Sequence, residues 1–301
     1  GKLSRGLGDV YKRQDKTQSL VCRKYCRTPE VLKEKQIVKK YFYNSTRQME
    51  PTVENCFWDF NRTNAYESWI KENVKDKVVC DLGTGSGILC YLAYYYGAKH
   101  VYGCEIREEI VEDLTNRFRD FPIDIIHCDV LEDEWPEADI YLQEFIASPF
   151  IGENIELLFK EAIKKELEDR VYPNIISIYD GEGDNDGFKI PTNDDFLEGS
   201  KHFIDYLDFE KKSPREGRKL WSNNVSETSL HWTGHLKDWD NKVLHDMGIV
   251  EEEDGTITGK VFWEMSFDEK YPISNFSQSY SHWAIDRNDV KRHQRLEVGL
   301  R

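Results

Sequence analysis

The sequence has no run of 18 uncharged apolar residues, and 39% of its 301 residues are apolar. A membrane-crossing helix needs about 20 mainly apolar residues in succession, so no membrane partner is expected. Positive charge is in deficit: 41 Lys and Arg stand against 56 Asp and Glu, a formal charge of −15. A field of that sign repels phosphate backbones, so no nucleic-acid partner is expected, and it favours cationic, Lys- or Arg-rich protein segments. Acidity that merely keeps the chain in solution fits the same number. Internal repeats and low-complexity segments are missing as well, which sets repeat architectures aside.

A cysteine framework is also lacking. The seven cysteines, at 22, 26, 56, 80, 90, 104 and 128, are odd in number and dispersed, which suits a reducing compartment and an expected cytoplasmic or nuclear location. Cys22 and Cys26 have no second pair downstream, so no metal is expected. Asn44, Asn61, Asn224 and Asn275 each open an N-x-Ser/Thr pattern, read as chance matches because no signal peptide precedes them. Asp9 to Gln14 looks like a translated sequencing-adapter end, so residues 1–14 are set aside as an expected artefact.

What is present centres on Val78 to Cys90, Val-Val-Cys-Asp-Leu-Gly-Thr-Gly-Ser-Gly-Ile-Leu-Cys. An apolar run closing on Asp81, glycines at 83, 85 and 87, and then apolar residues at helical spacing predict strand, tight turn and helix. Such a turn lets a ligand lie against bare backbone. A dinucleotide fingerprint would put its third glycine at position 88, which is Ile88. The D-x-G-x-G-x-G spacing resembles instead the first motif of Rossmann-like S-adenosylmethionine methyltransferases. That resemblance implies that Asp81, Gly83, Gly85 and Gly87 hold the methionine part of the cofactor. Strand His100 to Cys104 runs into Glu105, a carboxylate placed to accept both ribose hydroxyls, and Asp129 is placed to accept from the adenine amino group. A solvated loop Asp is an equally plain reading of Asp129.

Strands are expected over Lys77–Asp81, His100–Glu105, Ile123–Cys128 and Asp139–Gln143, alternating with helices that include Glu108–Phe118 and Glu153–Leu167. Asn61 can cap a helix from Arg62 to Asn73. This alternation predicts an α/β fold: a Rossmann-like, doubly wound parallel sheet over residues 15–172, with its ligand crevice at the carboxyl ends of the strands. Beyond Tyr172-Pro173 the alternation stops. Short β-like runs such as Asn174–Tyr179 and Gly259–Phe267 predict a mostly β, barrel-like second domain over residues 173–301. Asp180 to Asp186 has the flavour of a calcium loop but lacks the terminal Glu and flanking helices of an EF-hand.

Glu144 and Glu153 bracket the loop after the fourth strand. A Glu at that strand end and a second nine residues on resembles the double-glutamate loop of the protein arginine methyltransferases. Three further segments match in order. Tyr41-Phe42 resembles the start of that family's YFxxY segment, Arg62-Thr63-Asn64-Ala65-Tyr66 its R-T-x-x-Y segment, and Ser281-His282-Trp283 its Thr-His-Trp loop. The resemblance implies methyl transfer from S-adenosylmethionine to protein arginine. Glu144, Glu153 and His282 would be catalytic, Arg62 would bind the cofactor carboxylate, and Tyr41, Phe42 and Trp283 would contact the substrate. It also implies a homodimer, with an arm between about 190 and 215. The chemistry suits the residues, because paired carboxylates grip a planar guanidinium bidentately and draw its positive charge toward the held nitrogens.

Departures leave the product open. Tyr41-Phe42-Tyr43-Asn44-Ser45 lacks the last Tyr of YFxxY, Phe145-Ile146-Ala147 replaces Trp-Met-Gly, and Cys56 stands where a Met beneath the substrate is expected. The chain ends 18 residues after Trp283, so the barrel is expected to be incomplete. Alternatives are a methyltransferase for another acceptor, such as a ribosomal-protein lysine or a small molecule, and a non-catalytic binding protein on the same fold.

Overall fold

The computed structural model describes residues 56–145, 155–189, 191–207, 220–240, 243, 250–251, 256–258, 262–274, 278–280 and 290–291. Helix α1 (Phe60–Asn73) opens the described part. Its N-cap is Asp59, whose carboxylate accepts from the Arg62 amide at 3.2 Å, and not the Asn61 that the sequence suggests. Both are cap-type residues; the earlier one wins, and Phe60 enters the helix and packs on Phe196. Strand β1 (Val78–Leu82), helix α2 (Ile88–Tyr95), strand β2 (His100–Glu105), helix α3 (Glu108–Arg117), strand β3 (Ile123–His127) and strand β4 (Ile140–Gln143) follow. Helix α4 (Ile155–Lys164) and strand β5 (Val171–Tyr172) complete this half. Boundaries differ from the sequence expectation by one to three residues, the largest at the end of α4, Lys164 against the expected Leu167, and the expected helix start at Glu153 lies outside the described residues.

The five strands form one parallel sheet in the order β3-β2-β1-β4-β5. Strand order reverses between β1 and β4, where the ends Leu82 and Gln143 pair in register. Crevices open at such a switch point because successive connections leave to opposite faces of the sheet. Helix α2 is buried at every position from Ile88 to Ala93. A helix apolar all round must be covered on all sides, and here the sheet, α1 and α5 (Glu198–Leu207) share that task.

The second half is antiparallel. Strands β6 (Ile175–Lys189) and β7 (Leu220–His235) run as one long pair with three register shifts, flanked by β10 (Phe262–Phe267), β11 (Lys270–Ser274) and β12 (Gln278–Tyr280) in the order β11-β10-β6-β7-β12. Strands β8 (Val250–Glu251), β9 (Thr256–Thr258) and β13 (Val290–Lys291) make a second small sheet. The stretch Asp180–Asp186, with its calcium-loop flavour, is strand inside β6, Asp180 to Asn185 pairing with Ser229 to Asn223 of β7 across a register shift at Glu182–Gly183. A polar run can be a strand when one face of an antiparallel sheet is solvated. The halves share a core: Tyr66 and Trp69 of α1 meet Phe267 of β10 at ring separations of 5.0 and 5.2 Å.

Candidate cofactor and acceptor site

Asp81 sits at the end of β1, 1% exposed. The chain then turns sharply through Gly83, Gly85 and Gly87, all in the left-handed region, with φ of 76°, 50° and 81°. Glycine is needed there because a side chain would be strained. At Gly83 a Cβ would also come within 3.1 Å of the Phe145 ring. The amides of Gly83 and Thr84 both donate to the Cys104 carbonyl at 2.9 and 2.8 Å, and the Gly87 amide donates to the Thr84 carbonyl at 2.9 Å. The turn is therefore pinned to the neighbouring strand and closed on itself.

Two carboxylates frame it. Asp81 accepts from the Thr84 hydroxyl at 2.7 Å, with the Cys90 thiol at 3.5 Å. Burial pushes its carboxyl up to about 6; the bonds from Thr84 and Cys90 and the charge of Arg62 oppose that rise, and Glu105 adds to it. Glu105, 4% exposed, reaches from the end of β2 back to the turn, accepting from the Gly85 amide at 3.1 Å. Its other oxygen accepts from the Arg107 amide at 2.9 Å. Ile106, next in the chain, is 55% exposed and offers an apolar face beside this carboxylate. Asp129 follows β3 and accepts from the Leu131 amide at 3.0 Å, so one of its oxygens shapes its own turn.

Across the switch point, Arg62 is 2% exposed. One of its terminal nitrogens donates to the Cys56 carbonyl at 2.9 Å, and the other forms an ion pair with Glu144. One helical turn on, the Tyr66 ring lies beneath the guanidinium at 5.3 Å, and burial pushes its phenol well above the usual range. The Tyr66 hydroxyl donates to the Gln143 carbonyl at 2.5 Å. Gln143, fully buried, donates to the Pro173 carbonyl at 3.0 Å and accepts from the Phe145 amide at 2.8 Å. Glu144 thus leaves the sheet between Gln143, anchored by Tyr66 and Pro173, and Phe145, held by Gln143.

The structure brings Arg62, Asp81, Gly83, Gly85, Gly87, Glu105 and Glu144 to the carboxyl end of one sheet. Glu153, His282, Tyr41, Phe42 and Trp283 lie outside the described residues, as do Cys22 and Cys26. Sequence reasoning missed the roles of Gln143 and Tyr66, although Tyr66 closes the R-T-x-x-Y segment and Gln143 ends the fourth strand. The signal available was a polar residue ending an otherwise apolar strand. Among the described residues no His, Cys, Asp and Glu cluster has metal-binding geometry, and no helix is long and apolar enough to cross a membrane.

No protein-family model matches the chain. A curated relative from Oryza sativa subsp. indica, "Probable histone-arginine methyltransferase CARM1", is 36% identical over 111 residues, 34% of this chain and 21% of that protein. The chain thus spans about a fifth of the length of that relative. A ribosomal protein L11 methyltransferase from Psychrobacter arcticus is 35% identical over 96 residues, 28% of this chain and 30% of that protein. Among solved structures, the Trypanosoma brucei PRMT1 enzyme–prozyme complex with AdoHcy is 18% identical, covering 77% of this chain and 79% of that one at a TM-score of 0.48, a likeness too loose to carry argument. Across a third of its length, the chain is similar in sequence to protein arginine methyltransferases.

Proposed function

We propose that this protein transfers a methyl group from S-adenosylmethionine to a guanidinium nitrogen of protein arginine, in the cytoplasm or nucleus. The observation that carries the reading is the meeting of three groups at one switch point: a closed glycine turn, two buried strand-end carboxylates, and an Arg62–Glu144 pair. The turn suits this cofactor better than a dinucleotide. The amides of Gly83, Thr84, Gly85 and Gly87 are already bonded within the protein, so they do not fan out as a pyrophosphate cradle would. When bound, the cofactor would supply a sulfonium-activated methyl whose transfer to nitrogen breaks the S–C bond, leaves a neutral thioether and releases a proton from the guanidinium.

The chain's own residues would then do the following. Arg62 exchanges its pairing with Glu144 for the cofactor carboxylate, which frees Glu144 for the acceptor. Asp81, held at a cost inside the protein, gains a cationic partner in the cofactor's ammonium. Glu105 accepts from the ribose hydroxyls, Ile106 covers one face of the adenine, and Asp129 accepts from its amino group. Glu144, with Glu153, holds the acceptor guanidinium, concentrating charge on the gripped nitrogens and leaving the free one nucleophilic. His282 passes on the proton, and Tyr41, Phe42 and Trp283 enclose the acceptor. Arg-rich segments, drawn by the acidic surface, are the partners this charge suits, and the chain works as a homodimer.

The test is Glu144→Gln. Radiolabelled methyl transfer to an Arg-rich peptide should fall by about a hundredfold or more. S-adenosylhomocysteine should still bind in calorimetry, because Arg62 keeps its charge. Normal turnover in this variant removes Glu144 from the chemistry. A second reading is favoured by the ribosomal protein L11 methyltransferase match: transfer to a ribosomal-protein lysine. Activity on that protein and none on Arg peptides selects it, whereas cofactor binding with no transfer to either selects a binding protein.

A further inference from the structure

Among the described residues, one buried cation has no part in the chemistry proposed above. Arg117, in the last turn of α3, is 4% exposed, and nothing in the proposed reaction touches it. Burying a guanidinium costs several kcal/mol unless its hydrogen bonds are met. Arg117 donates to the Asp113 carboxylate at 2.6 Å and, from its other terminal nitrogen, to the Ser86 carbonyl at 3.0 Å. Ser86 lies between Gly85 and Gly87, inside the turn that faces the cofactor. The same helical turn supplies the wall behind that segment: a Cβ on Gly87 would meet the Phe118 ring at 2.7 Å and Leu114 at 2.9 Å. Leu114 and Arg117 of α3, with Phe118 just beyond its end, therefore mould Ser86 and Gly87.

The end of α3 is fixed in turn by α5, which arrives from the other half of the sequence. The Tyr206 hydroxyl donates to the Arg117 carbonyl at 2.7 Å, one of the carbonyls a helix leaves unpaired at its C-terminus. The opposite end of α5 is fixed to the helix that carries Arg62. Glu67, fully buried five positions after Arg62, accepts from the amides of Gly199 and Ser200 at 2.7 and 2.9 Å and from the Ser200 hydroxyl. It also accepts from the Tyr96 hydroxyl at 2.6 Å. A carboxylate at a helix N-terminus meets both the unpaired amides and the positive end of the helix dipole. Helix α5 is thus tied at one end to α1, with Arg62, and at the other to α3, with the glycine turn.

We infer that Arg117 is a positioning residue for the glycine turn, and that Tyr206 of α5 sets cofactor affinity through it. The inference rests on the cofactor reading above. Arg117 fixes the direction of the Ser86 carbonyl, and so the shape of the backbone that the methionine part of the cofactor lies against. Its bonds run to Asp113 and Ser86, whereas the reading above assigns the adenosine part to Glu105 and Ile106.

Calorimetry on the full chain with S-adenosylhomocysteine and, separately, adenosine tests this. Arg117→Lys keeps the charge but loses the two-pronged grip, and should raise the S-adenosylhomocysteine Kd about tenfold. Tyr206→Phe removes one oxygen from a 41% exposed ring and should raise that Kd about threefold. It keeps the test alive if Arg117→Lys fails to fold. Adenosine should bind both variants within about twofold of wild type, a split that general loosening of the fold would not produce. Unchanged S-adenosylhomocysteine affinity in both variants overturns the inference, as does an equal loss for both ligands. Wild-type protein that fails to bind S-adenosylhomocysteine at all removes the cofactor reading itself, and this inference with it.

Discussion

The two halves of the molecule spend polar groups differently. In the parallel half, carboxylates and two guanidiniums are buried at strand ends and helix faces: Arg62, Glu67, Asp81, Glu105 and Arg117 are all 4% exposed or less. Among the described residues of the antiparallel half, the buried polar ones, Asn174, Ser200 and Ser266, are neutral. Buried charge costs stability unless it is fully paired, so a fold keeps it where charge has work to do. The contrast sets the proposed cofactor contacts on the parallel side and makes the antiparallel side, which would carry His282 and Trp283, the support on which α1 packs.

The sharpest way to break that contrast is at the turn. Gly87→Ala places a side chain in the left-handed region at φ 81° and drives its Cβ into Phe118 and Leu114. Left-handed strain and overpacking together should cost about 2–5 kcal/mol in urea unfolding. A loss below about 1 kcal/mol would mean that α3 yields, and that the turn is not moulded by it.

The parallel half was readable in outline because its signals are local. An apolar run ending on Asp81, three glycines and a carboxylate closing the next strand each report on residues within one βα unit. What escaped the sequence is carried by distant partners. Glu67 looks like any helix-surface Glu until Gly199 and Ser200 arrive 132 and 133 positions later. Gln143 acquires its role only when Tyr66 and Pro173 reach it. Asp180–Asp186 reads as a turn because Asp, Gly and Asn favour turns, yet pairing with β7 overrides that propensity. The acceptor-side expectations at Glu153, His282 and Trp283 fall outside the described residues, so the site is legible on its cofactor side.

Asp81 offers a subtler test, one that titrates the cost of buried charge. Its folded carboxyl holds its proton up to about pH 6, above the ordinary carboxylate value near 4. Between those values the folded state binds more protons than the unfolded one, so this group's contribution to stability falls as pH rises through the window. Asp81→Asn removes the slope. Unfolding free energies of the two proteins should converge near pH 4, and the variant should lead by about 2 kcal/mol at pH 7, while binding S-adenosylhomocysteine more weakly. A variant less stable than wild type at pH 7 would show that Thr84, Cys90 and Arg62 compensate the carboxylate fully.

The mildest change probes the junction from the other side. Asn174 begins the antiparallel half, and its side chain closes a pair of bonds with Asp268, donating to the carboxylate at 2.8 Å and accepting from the amide at 3.0 Å. Asp268 and Glu269 both have positive φ and turn β10 into β11 in two residues, with Phe267 and Lys270 paired across the turn. Asn174→Ala removes both side-chain bonds but leaves its backbone bonds to Ser266 and Leu236 in place. The expected loss is about 1–2 kcal/mol, the scale of one or two partly buried hydrogen bonds. Affinity for S-adenosylhomocysteine should not move, because no charge on the parallel side has lost a partner. If affinity falls together with stability, the antiparallel half shapes the cofactor site directly, and the division of labour between the halves is wrong.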